Sequence, residues 1–176
     1  MVVFSHNAQL WHFKGEKYVL KQRQDLMDET DVRILKILQK KARIPNIEVA
    51  RKIGMAPSAI LERIKKLEAK GIIDGYEVRL NPGHFHRAMI AFIYIRIHNP
   101  SCMDQTGKKI AEFEEIQEVH YLAGDDCLMV KLRASDHTDL ERILKTKIAS
   151  IKGVKSTKTC IVLSTFKETS RIPLSK

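Results

Sequence analysis

The stretch Asn46-Ile47-Glu48-Val49-Ala50-Arg51-Lys52-Ile53-Gly54-Met55-Ala56-Pro57-Ser58-Ala59-Ile60-Leu61-Glu62-Arg63-Ile64-Lys65-Lys66-Leu67 decides how the chain is read. Asn46 is a good N-cap for a short helix over Ile47 to Ile53, whose apolar side carries Ile47, Ala50 and Ile53. Gly54 breaks that helix, and Pro57 stands where a first helical turn tolerates proline. A longer helix then runs to Lys70 with Ile60, Ile64 and Leu67 as its apolar stripe, Leu61 beside it and Gly71 as its C-cap. Two short helices joined by a turn containing glycine make a helix-turn-helix. With the stripe set inward, Ser58, Ala59, Glu62, Lys66 and Ala69 point away, flanked by Arg63 and Lys65. Small residues followed by basic ones suit insertion into a major groove. The solvated face of any three-helix bundle has the same pattern.

Upstream, Ile34, Leu35 and Leu38 predict a helix from about Glu29 to Lys41. Asp28, Glu29 and Asp31 crowd its start and Lys40 and Lys41 its end, as the helix dipole favours. This gives a helix-turn-helix domain over 28–76, preceded by an extension over 1–27. Trp11, Phe13, Tyr18 and Val19 give the extension enough apolar surface to pack as an arm on a partner; a dispensable extension is the other reading. Residues 28–76 hold eleven basic and seven acidic side chains, against sixteen and twelve in the much longer stretch 77–176. The basic surplus is therefore densest where the helix-turn-helix lies, which suits a polyanion partner.

Downstream, Ile72 to Val78 reads as a short strand, and Asn81-Pro82-Gly83 as a turn within a linker over 77–86. Residues 87–176 then alternate as strand (Arg87–His98), helix (from about Met103 to Glu115), strand (Val119–Ala123), strand (Cys127–Arg133), helix (capped by Asp136) and strand (Val154–Phe166). That order is the ferredoxin-like βαββαβ unit, so the whole chain is α+β. Its sheet has helices on one face only. The first strand is nevertheless apolar on both faces, with Ile90, Phe92 and Tyr94 on the second, and a second copy of the sheet is the simplest cover.

The chain has 176 residues, 44% of them hydrophobic and 30% charged, with a formal net charge of +10. This is globular composition with room for two small domains. The longest apolar run, Ala88 to Ile95, is far short of a membrane span. Polar residues interrupt the first twenty positions, so a secretory signal is not expected. Cys102, Cys127 and Cys160 share no CxxC spacing, which disfavours a disulfide framework or cysteine zinc site and suits a reducing cytoplasm.

Taken in order, several stretches resemble the Lrp/AsnC, or feast/famine, transcriptional regulators. They are Asp31-x-x-Ile34-Leu35-x-x-Leu38-Gln39, Val49-Ala50-x-x-Ile53-Gly54-Met55-x-Pro57, Leu61 to Glu68 followed by Gly71-Ile72-Ile73-x-Gly75-Tyr76, then Glu114 to Glu118, Ala123-Gly124-Asp125, Gly153-Val154 and Lys167-Glu168-Thr169. The resemblance extends from Asp28 to about Leu174. It implies binding of double-stranded DNA by the first domain. In the second it implies sensing of an amino acid or similar small molecule and assembly of homodimers into a higher oligomer, an octamer. Ala56 stands where many members carry Ser, and Gly124-Asp125-Asp126-Cys127 where many carry Gly-Asp-aromatic-Asp, so leucine is not implied as the effector.

The DNA-binding candidates are Asn46, Pro57, Ser58, Ala59, Glu62, Arg63, Lys65 and Lys66, with Arg63 the expected guanine reader and Lys65 a phosphate contact. Ala123, Gly124, Asp125 and Asp126 are the effector candidates. Carboxylates there would take an ammonium and main-chain N–H groups near Gly124 a carboxylate, although an Asp-rich turn needs no ligand. His84-x-His86 lacks a third ligand, and Cys127 and Cys160 lack an identifiable base and read as small core residues. No catalytic residue, metal or cofactor is expected. A sirohaem-decarboxylase-like enzyme shares the layout, but Gly75-Tyr76-Glu77-Val78 stands where its Arg-Arg or Arg-His pair would be needed. An architectural, weakly specific DNA binder remains the alternative to a sequence-specific regulator.

Overall fold

The computed structural model describes residues 11–13, 16–18, 27–124 and 127–174. By compactness they divide into one unit ending at Val78, joined by 170–174, and another over Arg79–Thr169. In the extension, Trp11–Phe13 (β1) pairs antiparallel with Glu16–Tyr18 (β2). Val19 lies outside the described residues.

The first unit is built on three helices, Glu29–Lys40 (α1), Asn46–Ile53 (α2) and Pro57–Ala69 (α3). Their core consists of Ile34, Leu38, Val49, Ala50, Ile60 and Ile64. Two details of α2 differ from the sequence reading. Pro45, not Asn46, is the N-cap, because its carbonyl accepts from the Glu48 and Val49 N–H groups and Asn46 becomes the first helical residue. Ile47 is 58% exposed, since Val49 and Ala50 take the inward side and Ile47 lies nearly opposite Val49 on the helix. Residues 72–78 form no strand; a strand needs a hydrogen-bonded neighbour, and none of the described residues supplies one. On the C-terminal segment, the Ile172 N–H donates to Gln39 Oε1 at 3.1 Å, tying it to the end of α1.

The second unit is a four-stranded antiparallel sheet of Met89–Ile97 (β3), Ile116–Leu122 (β4), Cys127–Ala134 (β5) and Val154–Ile161 (β6), in the order β4-β5-β3-β6. Met103–Ala111 (α4) and His137–Ile143 (α5), extended by a π-helical turn over Leu144–Ile148, complete the ferredoxin-like unit. Asp136 caps α5, accepting from the Asp139 N–H at 2.8 Å. Ala91, Ile93, Ile95 and Ile97 of β3 join Leu128, Val130, Leu132 and Ala134 of β5 in a core with Ile110, Leu140, Ile143 and Ile148. The last strand stops at Ile161, five residues short of the expected end, and Leu163 and Phe166 are 98% and 99% exposed. Cys127 is buried as expected, whereas Cys160, on edge strand β6, is exposed.

The strand alternation puts Phe92, Tyr94, Lys131 and Arg133 on the opposite, helix-free face. There Lys131 Nζ donates to Glu118, its cross-strand neighbour, at 3.1 Å and also to Glu168 from the chain beyond β6. Arg133 donates to the other Glu168 oxygen at 2.8 Å and to Gln117 at 3.0 Å. The Lys131 ammonium holds the Glu168 carboxyl below the usual glutamate value of 4.5, against a smaller opposing effect of burial. Asp139 is likewise held below 3.8, chiefly by the Ser135 N–H and then by Arg142.

A carboxyl lowered by folding contributes stability above its unfolded pKa and loses it as pH falls through the folded one. The melting temperature should therefore be flat from neutral pH to about pH 5 and fall below about 4.5. Glu168→Gln should begin lower and decline less steeply on acidification. An identical decline in both proteins would show that this carboxylate contributes nothing.

Candidate nucleic-acid interface and effector loop

The first turn of α1 is closed by a reciprocal capping box. The Asp28 carboxylate accepts from the Asp31 N–H at 2.8 Å, and the Asp31 carboxylate accepts from the Asp28 N–H at 3.2 Å. The same two carboxylates receive Arg63 from α3, whose Nη1 lies 2.6 Å from Asp28 Oδ2 and 2.8 Å from Asp31 Oδ1. Asp28 is held below the usual aspartate value, first by the Asp31 N–H and then by Arg63, with burial opposing. Both aspartates in turn raise the Arg63 guanidinium. Arg63, the expected guanine reader, is thus half-buried and engaged inside the unit. Its guanidinium joins two helices.

The other expected DNA-binding residues are distributed as follows. Pro57 opens α3, and its N-cap Ala56 offers no side-chain hydrogen bond. Ser58, Glu62, Lys65 and Lys66 are exposed, and Glu62 pairs with Lys66 at 2.7 Å across one helical turn. Ala59 and Asn46 are half-buried. Arg51, Lys52 and Lys70 are also exposed, so the surface around α2 and α3 is strongly basic. The partners of Arg63 were missed because Asp28 and Asp31 were read only as favouring the helix dipole. The Asp-x-x-Asp spacing, which lets two carboxylates meet at an N-terminus, was the available signal.

In the second unit Ala123 and Gly124 follow β4 and are exposed, and Gly124 adopts φ +103°, which favours glycine. Asp125 and Asp126, the remaining effector candidates, lie outside the described residues. His84 and His86 are exposed. Among the described residues no three His, Cys, Asp or Glu side chains gather into a metal-binding group, and no helix is long and apolar enough to cross a membrane.

Comparison with known proteins gives two family matches. Residues 27–74 match a winged helix-turn-helix DNA-binding family, and residues 89–172 match the Lrp/AsnC ligand binding domain. The leucine-responsive regulatory protein of Haemophilus influenzae is 32% identical over 163 residues, covering 92% of this chain and 98% of that protein. A Neisseria meningitidis transcriptional regulator solved with L-methionine superposes with a TM-score of 0.80 at 26% identity, covering 84% of this chain and 97% of that one. Escherichia coli AsnC superposes with a TM-score of 0.78 at 28% identity, covering 84% and 99%. With a helix-turn-helix unit followed by a ferredoxin-like unit, and with relatives matched over nearly their full lengths, the chain belongs to the Lrp/AsnC family of DNA-binding transcriptional regulators.

Proposed function

We propose that this regulator recognises specific duplexes through α3 and that an amino acid bound in its second domain changes its DNA affinity or its assembly. The carrying observation is the exposed, basic outer side of α3 beside a core-facing stripe of Ile60, Ile64 and Leu67. On this reading α3 lies in a major groove. Pro57, Ser58 and Ala59 approach phosphate at its uncapped start, Glu62 and Lys66 reach base edges, and Lys65 reaches the backbone. Asn46 supports the helix in front of it.

Lys65→Ala should weaken binding to all duplexes alike and lower the slope of log affinity against log salt by about one unit. Titrations at several salt concentrations against a preferred and a scrambled duplex measure this. An unchanged slope would mean that Lys65 is only solvated. The ratio of the two affinities separates a sequence-specific regulator from an architectural binder.

The L-methionine complex of the Neisseria meningitidis neighbour supports an amino acid as effector. The loop Ala123-Gly124-Asp125-Asp126 is the proposed site, with an aspartate taking the ammonium. Thermal shift against the twenty amino acids should identify the ligand, since binding to the folded state alone raises the melting temperature. Asp125→Ala should abolish that shift while DNA affinity without ligand stays within about threefold, because the loop belongs to a different unit from the helix-turn-helix. A retained shift would reduce the loop to a turn.

Assembly is proposed to begin with a homodimer and continue to a higher oligomer. Phe92 and Tyr94 on the helix-free sheet face and the exposed Leu163 and Phe166 support this. The chain is proposed to act in the cytoplasm, as a regulator and not an enzyme.

A further inference from the structure

Arg63 gives α3 two unlike sides. One is committed to α1 through Asp28 and Asp31. The other carries Ser58, Leu61 and Lys65, whose spacings of three and four place them along one exposed stripe. Leu61 is 41% exposed and is the only large hydrophobic side chain of α3 left so. The core stripe of Ile60, Ile64 and Leu67 does not need it.

We propose that Leu61 is a specificity-determining residue that reads thymine. Its isobutyl group packs against a thymine C5 methyl in the major groove. The major-groove edges of the four base pairs present donors and acceptors, and the thymine methyl is the one apolar group among them. An aliphatic side chain without donor or acceptor therefore has a single complement there. Lys65, on the same stripe, and the exposed Lys66, Arg51 and Lys52 elsewhere on α3 and α2 make this unit complementary to a polyanion, so the occupant is duplex DNA and not an apolar protein partner. Ser58 and Lys65, on either side along the stripe, hold the register through phosphate. The inference rests on α3 lying in the major groove.

The test uses the full chain. A preferred duplex is selected from a randomised library, and each thymine of the half-site is replaced in turn by deoxyuridine, which removes only the methyl. Affinities of the wild type and of Leu61→Ala are measured on every duplex, with melting temperatures confirming that the variant is folded. One replacement in each half-site should weaken the wild type by about fourfold, the value of one buried methyl, and leave Leu61→Ala unaffected. Leu61→Met, which keeps an apolar tip, should retain part of the discrimination.

If a duplex is selected but no replacement separates wild type from variant, Leu61 does not read thymine and the regulator reading stands. If no duplex is preferred over random DNA, the sequence-specific reading fails and takes the proposal with it. If Leu61→Ala changes the sedimentation of the DNA-free protein, the stripe is a contact between copies and the proposal is overturned.

Discussion

Arg63→Ala should destabilise the helix-turn-helix unit by about 1–2 kcal/mol and weaken binding to every duplex, leaving the ratio between preferred and scrambled sequences unchanged. The magnitude has two parts. An ion pair to the largely buried Asp31 contributes about 1 kcal/mol, more than a fully exposed pair, because solvent screens it less. The loosened capping box adds a loss of about the same size or smaller, since Asp28 both caps α1 and accepts from Arg63. DNA binding suffers because α3 is no longer held against the first turn of α1. Arg63→Lys should recover only part, because Arg63 Nη1 meets both carboxylates from the far end of the longer guanidinium side chain, and an ammonium on a shorter stem does not reach the same point. Urea unfolding followed by titrations on both duplexes tests this. A collapsed specificity ratio with unchanged stability would return Arg63 to the role of base reader.

The second large effect is expected at Lys131. Its side chain is only 11% exposed, and it neutralises both Glu118 and Glu168 on the helix-free face. Lys131→Ala removes one cation and leaves two carboxylates beside each other in a partly desolvated place. Breaking a fully buried pair costs about 3–5 kcal/mol, but both glutamates retain some access to water, so about 2 kcal/mol is expected. Glu168→Ala should cost less, because Lys131 keeps Glu118 and Arg133 keeps Gln117. The order of the two losses in denaturant melts is the test; equal losses would mean that the carboxylates do not depend on Lys131.

Much of this architecture was legible because it follows from periodicity. Ile34 and Leu38 on α1 and Ile60 and Ile64 on α3 repeat at helical spacing, Ala91, Ile93 and Ile95 alternate at strand spacing, and in each case one side of the element must be buried. The strand expected over Ile72–Val78 failed for a different reason. Its apolar residues have suitable extended character, but pairing is a property of two segments and only one was in view. The end of β6 was misplaced likewise, since nothing in Val162-Leu163 marks where its neighbour stops. Side-chain partners around α3 were harder to read than the fold. Wheel geometry put Arg63 beside the outward face, as it does Lys65, but could not say that two carboxylates from a helix some thirty residues earlier would meet only one of them.

The division of α3 into a fastened side and an open side bears on how such a regulator diverges after gene duplication. Because Arg63 secures the helix from the side turned to α1, exchanges at Ser58, Leu61, Glu62 and Lys65 touch neither the core nor the ion pair. A descendant can thus acquire a new operator through one or two substitutions without passing through an unfolded intermediate sequence. Asp28 and Asp31, which hold Arg63 in place, are then the positions where change is penalised first.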